Sequence, residues 1–151
     1  MKTLFNPDSL LEIQLRIQKL TPDKVPLWGQ MEVAQMLAHC SNPLESAMGK
    51  VIFRSEENAL KILILRIFFK KMNYSPAPFK KNLPTVPSFK VVEQKQFEKE
   101  KLRLLQNVSD AFEKGLDSSW SSHPSFGYFT PEQWGLVHYK HLNHHLTQFG
   151  V

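Results

Sequence analysis

The sequence predicts an all-α protein, a mainly antiparallel helical bundle. Three observations carry that expectation. Apolar residues recur at three- and four-residue spacing in several segments. Proline-bearing stretches separate those segments. The last segment carries start and stop residues at both ends. At 151 residues the length suits one domain, so residues 1–151 are expected to form a single unit.

The first helix is expected from about Asp8 to Lys19. Asn6 or Asp8 can cap it, and Pro7 suits its first turn. Leu10, Ile13, Ile17 and Leu20 form a stripe, which Leu11 and Leu15 widen. A second helix starts near Gln30 and carries Val33, Met36, Leu37, His39 and Cys40. Pro43 kinks or ends it, or a later turn through Leu44 and Met48 continues to Gly49. The third, from about Glu56 to Met72, is apolar on most of its circumference, which suits a central helix or an interface. Its β-branched residues leave a strand reading open for Ile62–Ile67, although the neighbouring periodicity favours a helix.

Residues Tyr74 to Pro87 read as a long loop, and Ser88 to Val92 as a short extended piece. A fourth helix is expected over about Gln94 to Lys114, stopped by Gly115. The last is capped by Thr130, starts at Pro131, completes a capping box with Gln133 and stops at Gly150.

Hydrophobic residues are 42% and charged residues 22% of the chain, which excludes disordered and collagen-like classes. The net charge of +5 permits anionic partners without choosing among them. A single cysteine, Cys40, excludes an intrachain disulfide. The N-terminal residues acquire acids and a proline too early for a signal peptide's apolar centre, and the run Ala59 to Phe69 is too short to span a bilayer. A cytoplasmic protein is expected.

The residues that carry chemistry are histidines. His141 and His145, four apart, lie one above the other on a helix face, between Trp134 and Phe149 on the side that must meet the core. Tyr139, Lys140, Asn143 and Thr147 fall on the far side. Two imidazoles on a core face need partners, because burying each without one costs roughly 2–7 kcal/mol. A divalent metal would satisfy both. His39, between Met36 and Cys40, is the candidate third ligand, which would leave an open position of the catalytic type. His138 could replace His145 as the partner of His141. His144 reads as a rim residue. Gln148 and Gln35 are placed to hold a ligand's second nitrogen. Two solvated histidines remain the competing account.

The segment HPSFGYFTPEQWGLVHYKHLNHHLTQFG (His123 to Gly150), with VPLWGQMEVAQMLAHCSNPLE (Val25 to Glu45), resembles an uncharacterised branch of the DinB/YfiT-like superfamily. That resemblance implies an up-down four-helix bundle, here with an extra N-terminal helix or long loop insertions, and often a homodimer. It implies a divalent metal, zinc or nickel, on His39, His141 and His145. Leu146 and Thr147 depart from the superfamily's pattern after the final histidine, while Gln148 keeps it. It further implies hydrolysis, or transfer of a low-molecular-weight thiol, on a small-molecule substrate. The alternative is a non-enzymatic dimeric binding or stress-related module whose metal is structural or absent.

Other features read more plainly. Cys40 points about 100° away from His39 on a helix, so the two are not a nucleophile pair and a buried thiol is expected. Glu32 and Glu45 are the acids nearest His39 in sequence, and neither is assigned a catalytic role. His123-Pro124 shapes the turn before the last helix. Trp28, Trp134 and Phe126 read as core or pocket walls. Lys70-Lys71 and Lys80-Lys81, near Tyr74 and Phe79, read as a solvated face, with no nucleic-acid motif beside them. The apolar helix around Ile62–Phe69 fits a dimer seam better than a membrane surface, because its cations look scattered.

Overall fold

Local signals set where several of the helices begin. In the computed structural model, which describes residues 1–151, α1 (Pro7–Gln18) starts where the Asn6 side chain accepts from the N–H groups of Asp8 and Ser9. Ile13, Ile17 and Leu20 are buried as expected. Leu11 and Leu15 are not: they are 55% and 47% exposed. α1 packs only on two later helices that lie to one side of it, so its buried stripe is narrower than the sequence suggested.

α2 (Val33–Met48) begins three residues later than expected, after Glu32, whose N–H donates to the Gln35 side chain. It runs straight through Pro43. The missing N–H removes one helical bond, but 13 of the 16 residues are buried, so packing on both sides holds the helix together. It ends at Gly49, whose φ of 77° is the left-handed conformation that a chain reversal requires.

The third apolar segment is a continuous helical stretch: α3 (Ala59–Ile64), a π-helical turn (Leu65–Phe69) and α4 (Lys70–Tyr74). The strand reading does not hold, and neither does a central position, because none of its residues is buried. Lys140 ties its end down by donating to the Met72 and Ser75 carbonyls. Residues 75–86 are irregular, as expected for their prolines. Pro87–Phe89 form a single 3-10 turn in place of the extended piece.

α5 (Phe97–Lys114) starts later than expected and stops at Gly115. α6 (Pro131–Gln148) has the anticipated Thr130 and Gln133 capping box. α1 and α2 each pack against both α5 and α6, while α1 does not meet α2 and α5 does not meet α6. The fold is therefore all-helical. Leu37, Leu44, Leu104, Val108, Trp134, Leu142 and Phe149 fill the space between these helices. No helix is long and apolar enough to cross a membrane.

Candidate metal centre

α2 and α6 are neighbours, so residues 102 positions apart meet where His39 faces His141. The i,i+4 spacing stacks His145 beside His141 on the same side of α6. The three ring centroids lie 4.7–4.9 Å apart, and one ligand nitrogen from each ring falls within 4.8 Å of the others. Tetrahedral ligands at about 2.05 Å from zinc stand about 3.3 Å from one another. The 2.9 Å between His39 Nε2 and His141 Nε2 and the 4.8 Å limit on the set bracket that spacing, so the three histidines could bind a metal ion. No cysteine or carboxylate joins them.

Two backbone-anchored partners determine which nitrogen faces inward. His39 Nδ1 lies 3.0 Å from the Phe89 carbonyl, which can only accept, so Nδ1 carries the hydrogen and Nε2 presents a lone pair. The Gln148 amide is oriented by donating Nε2 to the Trp28 carbonyl at 2.6 Å, which turns Oε1 toward His145 Nδ1 at 2.8 Å. His145 Nε2 therefore also presents a lone pair. His39 Nε2 and His141 Nε2 face each other at 2.9 Å, where only one hydrogen fits between them. A cation would satisfy all three nitrogens together.

All three rings are held neutral. Desolvation lowers the pKa of His39, although the Phe89 carbonyl partly opposes the shift. It lowers that of His141 well below the ordinary value, with help from His145 and His39. It brings His145 down to about 3. Neutral imidazole is the form that ligates metals.

A cavity of about 650 Å³ opens onto His39 and His145. Its walls include Trp28, Met31, Leu83, Val91 and His144, and no aspartate or glutamate lines it. Lys90 lines it directly, and Lys81 Nζ sits 4.5 Å above the Trp28 ring. The chain belongs to the protein family of unknown function DUF1569. The family's model matches residues 3–150. No curated protein and no solved structure matches the chain.

Most of the sequence candidates find places here. His144 sits at the cavity rim, edge-on to Trp28 and Phe79. Gln148 holds a ligand nitrogen as expected, but Gln35 does not; it caps α2 and donates to the Val92 and Glu93 carbonyls. His138 is not part of the cluster. It stacks on Trp134 with ring centroids 4.9 Å apart, and its Nε2 is buried without a partner. Tyr139 and Lys140, expected on the far side, are drawn in because α6 is flanked by α1 and α4 as well as the core: Tyr139 donates to Glu12 on α1.

Cys40 is buried against Met36, and burial pushes its thiol far up, so it is inert. Glu45 is occupied by Arg103 and Asn107, and Glu32 is exposed at the start of α2. His123 Nδ1 accepts from the N–H groups of Ser125 and Phe126 and closes the turn before α6. Trp134 and Phe126 are core, while Trp28 is a cavity wall. Two contributors escaped the sequence reading. The Phe89 carbonyl carries no residue-type signal. Gly29 carries a weak one: a Cβ there would come within 2.7 Å of Gln148 Nε2.

Proposed function

We propose that this chain is a metal-dependent enzyme in which His39, His141 and His145 hold one divalent cation, zinc or nickel, beside a cavity that takes a small molecule. The observation that carries the reading is the tautomer geometry: Phe89 and Gln148 turn the Nε2 lone pairs of His39 and His145 toward His141. Random histidine proximity does not supply such partners. When bound, a cation with three neutral ligands keeps its charge and acts as a Lewis acid on water or a low-molecular-weight thiol. Hydrolysis and thiol transfer to a small electrophile are the two matching reactions.

The chain's own residues orient and select. Gln148 and the Phe89 carbonyl hold the ligand rings in place. Trp28, Met31 and Leu83 offer an apolar wall that limits water. Lys90, with no carboxylate among the lining residues, favours a substrate that carries an anionic group. The DinB/YfiT-like resemblance supports the same ligand set, and the pairwise packing of α1, α2, α5 and α6 suits its up-down four-helix bundle. Leu146, which departs from that pattern, is core and does not line the cavity.

Metal analysis of protein purified without a polyhistidine tag tests the assignment. About one zinc or nickel per chain is expected, falling at least tenfold in His39→Ala and in His141→Ala. Unchanged metal in His141→Ala would sink it. One observation favours a second reading, a binding module with a structural metal: Glu45 is engaged elsewhere, so no carboxylate base stands beside the rings. Cobalt-substituted protein separates the two. A visible spectrum altered by an added thiol or anion means an open coordination position; insensitivity means a closed one.

A further inference from the structure

The helical stretch from Ala59 to Tyr74 turns a cluster of large apolar side chains to solvent. Leu60, Leu63, Ile64, Ile67 and Phe68 repeat at i, i+3, i+4, i+7 and i+8, and all are exposed; Leu60 is 68%, Ile67 62% and Phe68 71% exposed. A contiguous patch of this kind marks an interaction surface.

The charge around it identifies the partner. Residues 54–81 hold seven cations and two acids, a net charge of +5. The rest of the chain has 12 cations and 12 acids and is neutral. Along the sequence these cations look scattered, but Lys61, Arg66 and Lys71 are exposed on the helical stretch itself, and Arg54, Lys80 and Lys81 are exposed in the segments that lead into and out of it. Of the two acids, Glu57 binds Ser55 and Ser125 through one oxygen and pairs with Lys61 through the other, and Glu56 is exposed, so the acids offset two of the seven cations and the segment keeps its excess of five. A second copy docking by a two-fold axis would set this +5 segment against its own image. An anionic lipid surface complements it.

We propose that this stretch is a membrane-surface helix, lying in the interfacial plane of an anionic bilayer with Leu60, Leu63, Ile64, Ile67 and Phe68 inserted among the acyl chains and the surrounding lysines and arginines at the headgroups. The face is separate from the histidine cluster, so the inference stands whether or not a metal binds. It also revises the expectation of a dimer seam, which rested on scattered cations.

Co-sedimentation of the full chain with vesicles tests it. Vesicles of phosphatidylcholine with about 30% phosphatidylglycerol are expected to bind on the order of tenfold or more tightly than pure phosphatidylcholine, because each cation multiplies affinity roughly fivefold. Binding should weaken in 0.5 M NaCl. Ile67→Glu/Phe68→Glu should abolish it while the melting temperature holds, since both side chains are exposed. Lys71→Glu/Lys80→Glu, which leaves the apolar face intact, should weaken it about tenfold or more. Equal binding to both vesicle types, or binding to neither, overturns the proposal. So does a dimer by sedimentation equilibrium that Ile67→Glu/Phe68→Glu splits, which would make a second copy the occupant.

Discussion

Gln148 does two jobs with one amide: Nε2 anchors the Trp28 carbonyl and Oε1 holds the His145 ring. Removing such a supporting partner typically weakens metal affinity by about 10–100-fold. Gln148→Ala is therefore expected to lower zinc affinity by that factor in a chelator competition, with metal still bound at saturating zinc. His138 illustrates the reverse case. Its orphaned Nε2 is a desolvated polar atom whose burial costs about 1–3 kcal/mol without a partner, and its ring already stacks on Trp134. His138→Phe keeps the stack and removes the orphan. It should leave metal content unchanged and match or raise the wild-type melting temperature at pH 7. A loss of metal would show that His138 takes part in the site.

Each half of the centre depends on an irregular segment docked against a helix. His39 on α2 leans on the turn at Pro87–Phe89, and His145 on α6 leans, through Gln148, on residues 27–29. Leu27 N–H also donates to the Gln148 carbonyl at 2.7 Å, which pins that segment to the end of α6. Gly29 makes the close approach possible with φ of 82°. Gly29→Ala adds a Cβ that meets Gln148 Nε2 and strains a left-handed backbone, a cost of about 1–3 kcal/mol. Chemical denaturation should show that loss, together with weaker zinc binding; a variant with wild-type zinc affinity would uncouple the loop from the site. The start of α6 is held separately. Thr130→Ala removes the cap bond to Gln133 N–H and should cost about 1 kcal/mol without touching metal content.

For the molecule as a whole, stability depends on pH through histidines buried neutral. Desolvation brings His123 and His138 down to about 3, despite a small opposing pull from Glu57 on His123. The unfolded chain, with histidine near 6.5, binds protons that the folded chain refuses. Their contribution is complete above about pH 6.5 and is lost progressively as pH falls toward 3. At pH 5 each should cost about 2 kcal/mol. Metal-free protein is expected to melt at constant temperature above about pH 7 and at clearly lower temperature by pH 5, and His138→Phe should flatten part of that slope. Melting that stays level from pH 7.5 to 5 would mean that these rings gain protons without unfolding.

Local chemistry determined the helices and the candidate ligands. Asn6, Thr130, Pro131 and Gly49 act within a few residues of themselves, so starts and stops were readable in sequence. The i,i+4 spacing put His141 and His145 on one face because helix geometry is the same everywhere. Periodicity alone could not say which apolar faces find a neighbour: Leu11, Leu15 and the whole stretch from Ala59 to Tyr74 carry helical apolar patterns yet meet solvent. It could not say that α6 is flanked closely enough to bury Tyr139, or that α2 packs tightly enough to carry Pro43. Tertiary packing decided that His39 meets His141, because α2 lies beside α6 at that level, and that His145 rather than His138 joins them, because Trp134 and Trp120 enclose His138. It also decided the tautomers, since the partner of His39 is a backbone carbonyl 50 residues away. Residue types encode faces and ends; only the assembled chain determines which faces meet.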